Sequence, residues 1–179
     1  VRDRSTAEHS EITVLREILG DMPQHIYLID ASSDLSTLSL FPIMDYCLTV
    51  RGTVGIEAAY RGIPALTAGT GRYDRRGFTI DFDNRKDYLD QLKNLENVQP
   101  LTPEEQDLAR KFAFGTFVVR PIKLSSVKYS FQRDSEASLK TRFTINTSQH
   151  LKKAEDVIEI ADWINSNSDD FCNWGQLDV

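Results

Sequence analysis

Between Arg51 and Glu57 the chain reads Arg-Gly-Thr-Val-Gly-Ile-Glu, and these residue types at this spacing suit an anion held beside a sugar diol. Arg51 is a planar cation matched to phosphate geometry. The Gly52-Thr53 turn lets the main chain approach a ligand closely, Thr53 adds a hydroxyl donor, and Gly55 continues the motif. Glu57 falls one turn into the segment that follows, where a carboxylate accepts two hydrogen bonds from a vicinal diol such as a ribose. The same pattern also serves plain capping, because any strand-to-helix turn needs a cap and a nearby acid to meet the helix dipole.

A second glycine-rich stretch, Gly69-Thr70-Gly71-Arg72-Tyr73-Asp74-Arg75-Arg76-Gly77, follows the next strand. Its position on the same edge of the sheet would let Thr70, Arg72 and Tyr73 close over a ligand held there, and a solvated surface loop explains it equally well. Arg75 and Arg76 are expected in solvent or paired with Asp74, Asp81 or Asp83. His9, His25 and His150 are too scattered for metal-ligand spacing, and neither Cys47 nor Cys172 has a second cysteine nearby; no metal is expected. Cys47 reads as a small buried hydrophobe. No local signature marks a serine or cysteine nucleophile, so the catalytic residues stay unassigned.

These groups need elements to position them. Ser5-Thr6-Ala7-Glu8 has capping-box spacing, with Ile12, Leu15, Ile18 and Leu19 at helical intervals up to Gly20. The β-rich run His25–Ile29 predicts a strand, and Asp34 to Phe41 a short helix stopped by Pro42. Tyr46–Val50 is a nearly continuous apolar run, as in a strand buried on both faces. Thr53 caps a helix over Val54–Arg61, closed by Gly62 and Pro64. Strands over Pro64–Ala68 and Phe78–Phe82 follow, then an Asn84-capped helix with Tyr88, Leu89, Leu92 and Leu95 inward. Alternation of this kind predicts an α/β fold, an open Rossmann-like parallel sheet with helices on both faces. Crevices at the carboxyl ends of such strands, beside helix N-termini, take anions.

After residue 100 the character changes. Thr102-Pro103-Glu104-Glu105 opens a helix with Leu108, Phe112 and Phe117 on its buried face. Residues 120–146 read as loop-rich with one hairpin or short helix. Leu151, Ala154, Ile158, Ala161 and Ile164 line a terminal helix, and Trp163 and Trp174 cover the core or dock a further lobe. The organisation expected is a nucleotide-binding lobe over 1–100 and a helical extension over 101–179 packed on it.

The chain has 179 residues, 40% hydrophobic and 27% charged, with 21 basic against 27 acidic side chains and a net charge of -6. That composition excludes wholesale disorder and disfavours a duplex-binding role. Two distant cysteines do not make a disulfide framework, and no apolar run reaches the ~20 residues of a membrane span; a cytoplasmic protein is expected. The chain opens at Val1 and not at Met, so a piece of a longer polypeptide is expected.

The string Arg51-Gly52-Thr53-x-Gly55-x-Glu57 followed by Gly62-Ile63-Pro64 resembles the carboxyl-terminal lobe of GT-B glycosyltransferases and of the related UDP-N-acetylglucosamine 2-epimerases. With Gly69-x-Gly71-x-Tyr73 and Gly77-Phe78-Thr79, over about residues 25–118, it is similar to bacterial capsule and surface polysaccharide biosynthesis proteins. Tyr73–Phe78 also resembles CDP-glycerol glycerophosphotransferases. The resemblance implies the nucleotide-sugar-binding lobe of a transferase, with CMP-Kdo a common donor. It implies nucleotide-binding roles for Arg51, Gly52, Thr53, Gly55 and Glu57, with Gly69, Thr70, Gly71, Arg72 and Tyr73 as a donor-sugar or phosphate loop. The implied partners are a nucleotide-activated sugar, a saccharide or lipid-linked acceptor and an amino-terminal lobe carrying the acceptor site, with peripheral association at the inner face of the membrane. The chain departs from many such enzymes in lacking a His-Pro pair before its first helix. A non-catalytic module that binds a nucleotide or a partner protein is the alternative outside the enzymes.

Overall fold

The computed structural model describes residues 11–29, 33–69, 71–132 and 138–173. Its first element is α1 (Glu11–Leu19). Gly20 ends it at φ +63, with its N–H on the Arg16 carbonyl at 2.9 Å. The capping box proposed at Ser5 lies outside the described residues. His25–Ile29 is not a strand but the end of a turn followed by chain with no regular structure. β-rich composition makes a strand only where a neighbouring strand supplies hydrogen bonds, and no described strand pairs with this run. Nor does one helix fill 34–41: two 3₁₀ turns stand there, Thr37–Ser39 and Phe41–Ile43, with Pro42 inside the second. The Ser36 hydroxyl, accepting from the Leu38 amide, favours the tight turn over an α-helix.

The α/β core follows. β1 (Cys47–Thr49), α2 (Val54–Tyr60), β2 (Ala65–Thr67) and β3 (Ile80–Asp81) form a small parallel sheet in the order β1-β2-β3, registered Cys47 to Ala65, Leu66 to Ile80 and Thr67 to Asp81. β2 is buried along its whole length. β1 is not buried on both faces as expected. Cys47 is buried, but Leu48 is 48% exposed, because β1 is an outer strand of the three and only one of its faces meets α2.

α2 is joined to β2 by a tight glycine turn. Gly62 takes φ +83, a conformation open to glycine, and the Ile63 amide reaches back to the Ala58 carbonyl at 3.0 Å. On one side of α2, Ala58 joins Phe41, Cys47 and Ala65 with Met44, Val54 and Ile63 packed around them. On the other, Ile56 and Ala59 meet Tyr73, Phe78 and Ala109, with Leu101, Phe112 and Ala113 at the margin. Two alanines and a glycine on one short helix allow this close approach from both sides.

α3 (Arg85–Leu92) is capped by Asn84, whose side chain accepts from the Asp87 amide. It buries no residue fully, and Leu89, expected inward, is 39% exposed. α4 (Pro103–Phe114) carries the full capping box: Thr102 Oγ1 accepts from the Glu105 amide at 3.2 Å, and Glu105 Oε2 accepts from the Thr102 amide at 2.8 Å. Thr102→Ala is expected to lower stability by ~1 kcal/mol, read as a drop of a few degrees in thermal melting. The inward residue of α4 is Ala109, while Leu108 is 45% exposed and Phe117 is 49% exposed. Phe117 turns outward because Gly115–Val119 is a π turn, which inserts one residue per turn and brings Val119 inward in its place.

Of the hairpin and the short helix left open for 120–146, the structure holds a hairpin, β4 (Val127–Gln132) and β5 (Ser138–Phe143), antiparallel with Val127 opposite Phe143 and Tyr129 opposite Thr141. The terminal helix is two pieces, α5 (Ser148–Leu151) and α6 (Glu155–Asn165), separated by Ala154 in extended conformation. Its apolar stripe does not face inward: Ile158 is 43% exposed and Ile164 is 68% exposed, whereas Asp156 is buried. Asp156 accepts from the amides of Ser125 and Ser126 at 3.1 and 2.9 Å and from both their hydroxyls. Residues two apart on a helix differ by about 200° in direction, so drawing Asp156 in turns Ile158 out.

The chain divides into two compact units. One takes the residues up to Leu35 together with Ile122–Asp169, and the other takes Ser36–Pro121 and the residues from Asp170 onward. The division expected at residue 100 therefore falls inside the second unit, where α4 packs on α2.

Candidate functional site

The carboxyl ends of β1, β2 and β3 open on one edge of the sheet, and the segments leaving them make the candidate site. After β1, Thr49 Oγ1 accepts from the Gly52 amide at 3.0 Å and so holds the turn tight. Arg51, Gly52 and Thr53 are exposed there. Thr53 occupies the N-cap position of α2 in helical conformation, with no side-chain cap bond. Its hydroxyl therefore does not perform the capping role open to it from the sequence.

After β2 the chain runs against this turn. A Cβ on Gly69 would lie 3.4 Å from Val50 Cγ1, and one on Gly71 would lie 3.7 Å from Arg51 Cγ and 3.8 Å from the Val50 carbonyl. The two glycine-rich segments, separate in sequence, are thus brought together with Arg51 at their seam. The Gly71 amide donates to Asp74 Oδ1 at 2.8 Å, and Arg72 is exposed. Thr70 lies outside the described residues. Asp81 fixes the far end of the loop: it accepts from Thr67 Oγ1 at 2.7 Å, from Thr79 Oγ1 at 3.0 Å and from the Arg75 amide at 2.7 Å. Arg75 pairs with Asp83, one of the partners expected for it.

Tyr73 does not stand over the edge as a closing residue. Its ring is 2% exposed inside the α2–α4 cluster, and its hydroxyl donates to the Gly52 carbonyl at 2.7 Å. Burial, with nearby Cys47 and Asp81 adding to it and the Thr49 hydroxyl opposing, pushes the phenol up to about 12. Gly55 is buried against this ring, since a Cβ there would lie 2.9 Å from Tyr73 Cζ and nearer still to its hydroxyl. Glu57 is half-buried on the first turn of α2. It lies within electrostatic reach of Cys47 at the start of β1, whose thiol burial and then the Glu57 charge push up to about 11.

Beside these turns is a cleft of about 610 Å³ lined by Ala68, Gly69, Phe82, Asp83, Asn84, Arg85, Tyr88 and Leu89. That is ligand-sized. Phe82 and Tyr88 meet edge to face at 5.3 Å between ring centroids. An aromatic wall with Asp83, Asn84 and Arg85 at its rim offers stacking and several hydrogen bonds to one polyhydroxylated ligand. Sequence reasoning placed Tyr88 in the core and treated Asp83 only as a partner of arginine. The available signal was an aromatic ending one strand, a cap residue, and a second aromatic on the first exposed turns of the next helix. Gly69 belongs both to this cleft and to the contact with Val50. Among the described residues, no three His, Cys, Asp or Glu side chains gather as a metal requires. No helix among them is long and apolar enough to cross a membrane. No family model matches the chain, and neither does a curated protein or a solved structure.

Proposed function

We propose that this chain supplies the nucleotide-sugar-binding lobe of a GT-B type glycosyltransferase acting in capsule or surface polysaccharide synthesis. The observation that carries the proposal is the 610 Å³ cleft at the carboxyl ends of β2 and β3, whose Gly69 lies against Val50, the residue that precedes the Arg51-Gly52-Thr53 turn after β1. Open parallel sheets take ligands at this edge. The resemblance of Arg51–Glu57 and Gly62–Pro64 to the donor pocket of that superfamily supports it.

On this reading Arg51 and Thr53 meet the phosphate, Glu57 the ribose, and the cleft walled by Phe82 and Tyr88 receives the sugar, with Arg72 at the loop that borders it. As the bond from the anomeric carbon to the phosphate breaks, negative charge grows on the departing phosphate, and the Arg51 guanidinium meets that charge. An acceptor hydroxyl attacks the anomeric carbon, its new C–O bond replacing the bond to the phosphate and its proton passing to a base. The acceptor site and its base belong to a further lobe, and no metal is needed for the charge that Arg51 meets.

Titration of the full chain with CMP, CDP, UDP and GDP, followed by NMR, tests the reading. Expected is selective binding of a cytidine nucleotide, weakened about tenfold or more in Glu57→Ala, as loss of a charged hydrogen-bond acceptor predicts. Binding of a uridine nucleotide in its place moves the reading toward the epimerase relatives, and failure of every nucleotide to bind the folded chain overturns it.

One observation favours the alternative of a non-catalytic module. The glycines of the motif have structural duties of their own, Gly55 against Tyr73 and Gly52 between Thr49 and the Tyr73 hydroxyl.

A further inference from the structure

Antiparallel pairing sorts the β4–β5 hairpin into two unlike faces. Opposed residues share a face and the faces alternate along the strand. Val127, Phe143 and Tyr129 therefore fall on one side, and Lys128, Arg142, Ser130 and Lys140 on the other. Tyr129 and Phe143 are each 67% exposed. Lys128, Lys140 and Arg142 are exposed as well, and none of them joins an ion pair among the described residues. Lys128 stands directly opposite Arg142, an arrangement that costs stability in an isolated hairpin. The wider segment is set apart from the rest of the chain: Ile122 to Lys153 carries Lys123, Lys128, Arg133, Lys140, Arg142, Lys152 and Lys153 against only Asp134 and Glu136, in a protein of net charge -6.

We propose that this hairpin is a contact site for an anionic lipid surface, with Tyr129 and Phe143 entering the interface and Lys128, Lys140 and Arg142 meeting the headgroups. An amphipathic element with aromatics on one face and Lys and Arg on the other is the composition that lies in a bilayer interface. A two-stranded ribbon suits it especially well. With strands about 4.8 Å apart, the ribbon has no interior strand, so every cation lies within a side-chain length of an edge and its stem reaches past the backbone to phosphates beside it. Charge complementarity selects the anionic bilayer. A nucleic acid fits less well, because stacking on Tyr129 and Phe143 and pairing with Lys128, Lys140 and Arg142 require opposite faces of the ribbon, and the chain as a whole repels a polyanion.

The test is co-flotation of the full chain with vesicles of phosphatidylcholine containing 30% phosphatidylglycerol, and with pure phosphatidylcholine, in roughly 0.1 M salt where the Debye length is near 10 Å. Binding to the anionic vesicles alone is expected. Replacing Lys128, Lys140 and Arg142 together by Gln is expected to weaken it roughly a hundredfold, from the usual contribution of each cation at such a surface. Tyr129→Ser with Phe143→Ser is expected to weaken it while leaving its salt dependence unchanged, and Lys128→Arg with Lys140→Arg to preserve it. Far-UV circular dichroism identifies any variant that has lost its fold, and the conservative pair keeps the test open in that event. Equal binding to neutral vesicles, binding indifferent to the three cations, or release from the vesicles by a short DNA duplex at the same salt overturns the proposal.

Discussion

Gly55→Ala is expected to destabilise the sheet-bearing unit by ~3 kcal/mol, at the upper end of the range for overpacking a filled site. On helix propensity alone the sign would be reversed, because alanine for glycine inside a helix adds about 0.5–1 kcal/mol of stability. Sterics decide against it. The new Cβ would meet Tyr73 Cζ at 2.9 Å, Thr49 Cγ2 at 3.1 Å and the Tyr73 hydroxyl more closely still. The ring cannot withdraw, since Ile56, Ala59, Phe78 and Ala109 surround it and its hydroxyl is tied to the Gly52 carbonyl. Melting followed by circular dichroism should show a drop of roughly 6–12 °C for a chain of this size. Adding Tyr73→Phe should recover part of the loss by removing the closest atom, although alone that change costs ~1–2 kcal/mol by leaving the Gly52 carbonyl without its donor. A Gly55→Ala protein as stable as the original would show that Tyr73 does not fill this space.

Asp156→Ala is the second change expected to act strongly, by ~3 kcal/mol on the unit built around α6, because it leaves the buried amide and hydroxyl of Ser126, and those of its neighbour Ser125, without their acceptor. Burial by itself would push the Asp156 carboxyl up. The Ser126 hydroxyl and amide, the Ser125 hydroxyl and the Val157 amide outweigh burial and hold it at about 2, below the usual 3.8. A carboxyl depressed in the folded state contributes stability in full above its unfolded value. That contribution fades as pH falls from about 4 toward 2. Protection of the Ser125 and Ser126 amides, their exchange measured against that of an unstructured peptide at the same pH, should therefore fall over this range in the original protein and be low and nearly pH-independent in Asp156→Asn. Residue-level exchange is the right observable, because a chain of two units need not melt in one step. Protection of these amides that persists unchanged through pH 2 would mean that the carboxylate does not hold them.

What the sequence disclosed was chemistry completed within a few residues. Thr102 and Glu105 cap each other, Asn84 caps α3, and Gly62 with Pro64 ends α2; each needs no partner beyond its own turn, so spacing alone reveals it. What it concealed depends on distant chain. His25–Ile29 has the composition of a strand and finds no strand to pair with among the described residues. The inward side of α6 is set by Ser125 and Ser126, some thirty residues earlier, which outbid the periodicity of Ile158, Ala161 and Ile164. The site divides in the same way. Arg51 and the two glycine segments do converge on the sheet edge, as the strand-turn-helix pattern implies. Tyr73 was legible as part of the loop but not as a core side chain, because its burial comes from α4 and from the bare surface at Gly55.

Neither compact unit is continuous in sequence. The chain leaves the first at Leu35, builds most of the second through Pro121, returns for residues 122–169, and leaves again at Asp170. Asn173, the last described residue, is tied back to the second unit, its amide donating to the Val119 carbonyl at 2.8 Å. On a ribosome adding about 5–20 residues per second, the part of the first unit up to Leu35 is therefore complete several seconds before residues 122–169, the rest of that unit, exist. The order of synthesis thus sets a waiting period for one unit and a head start for the other. No single cut of the chain separates the two.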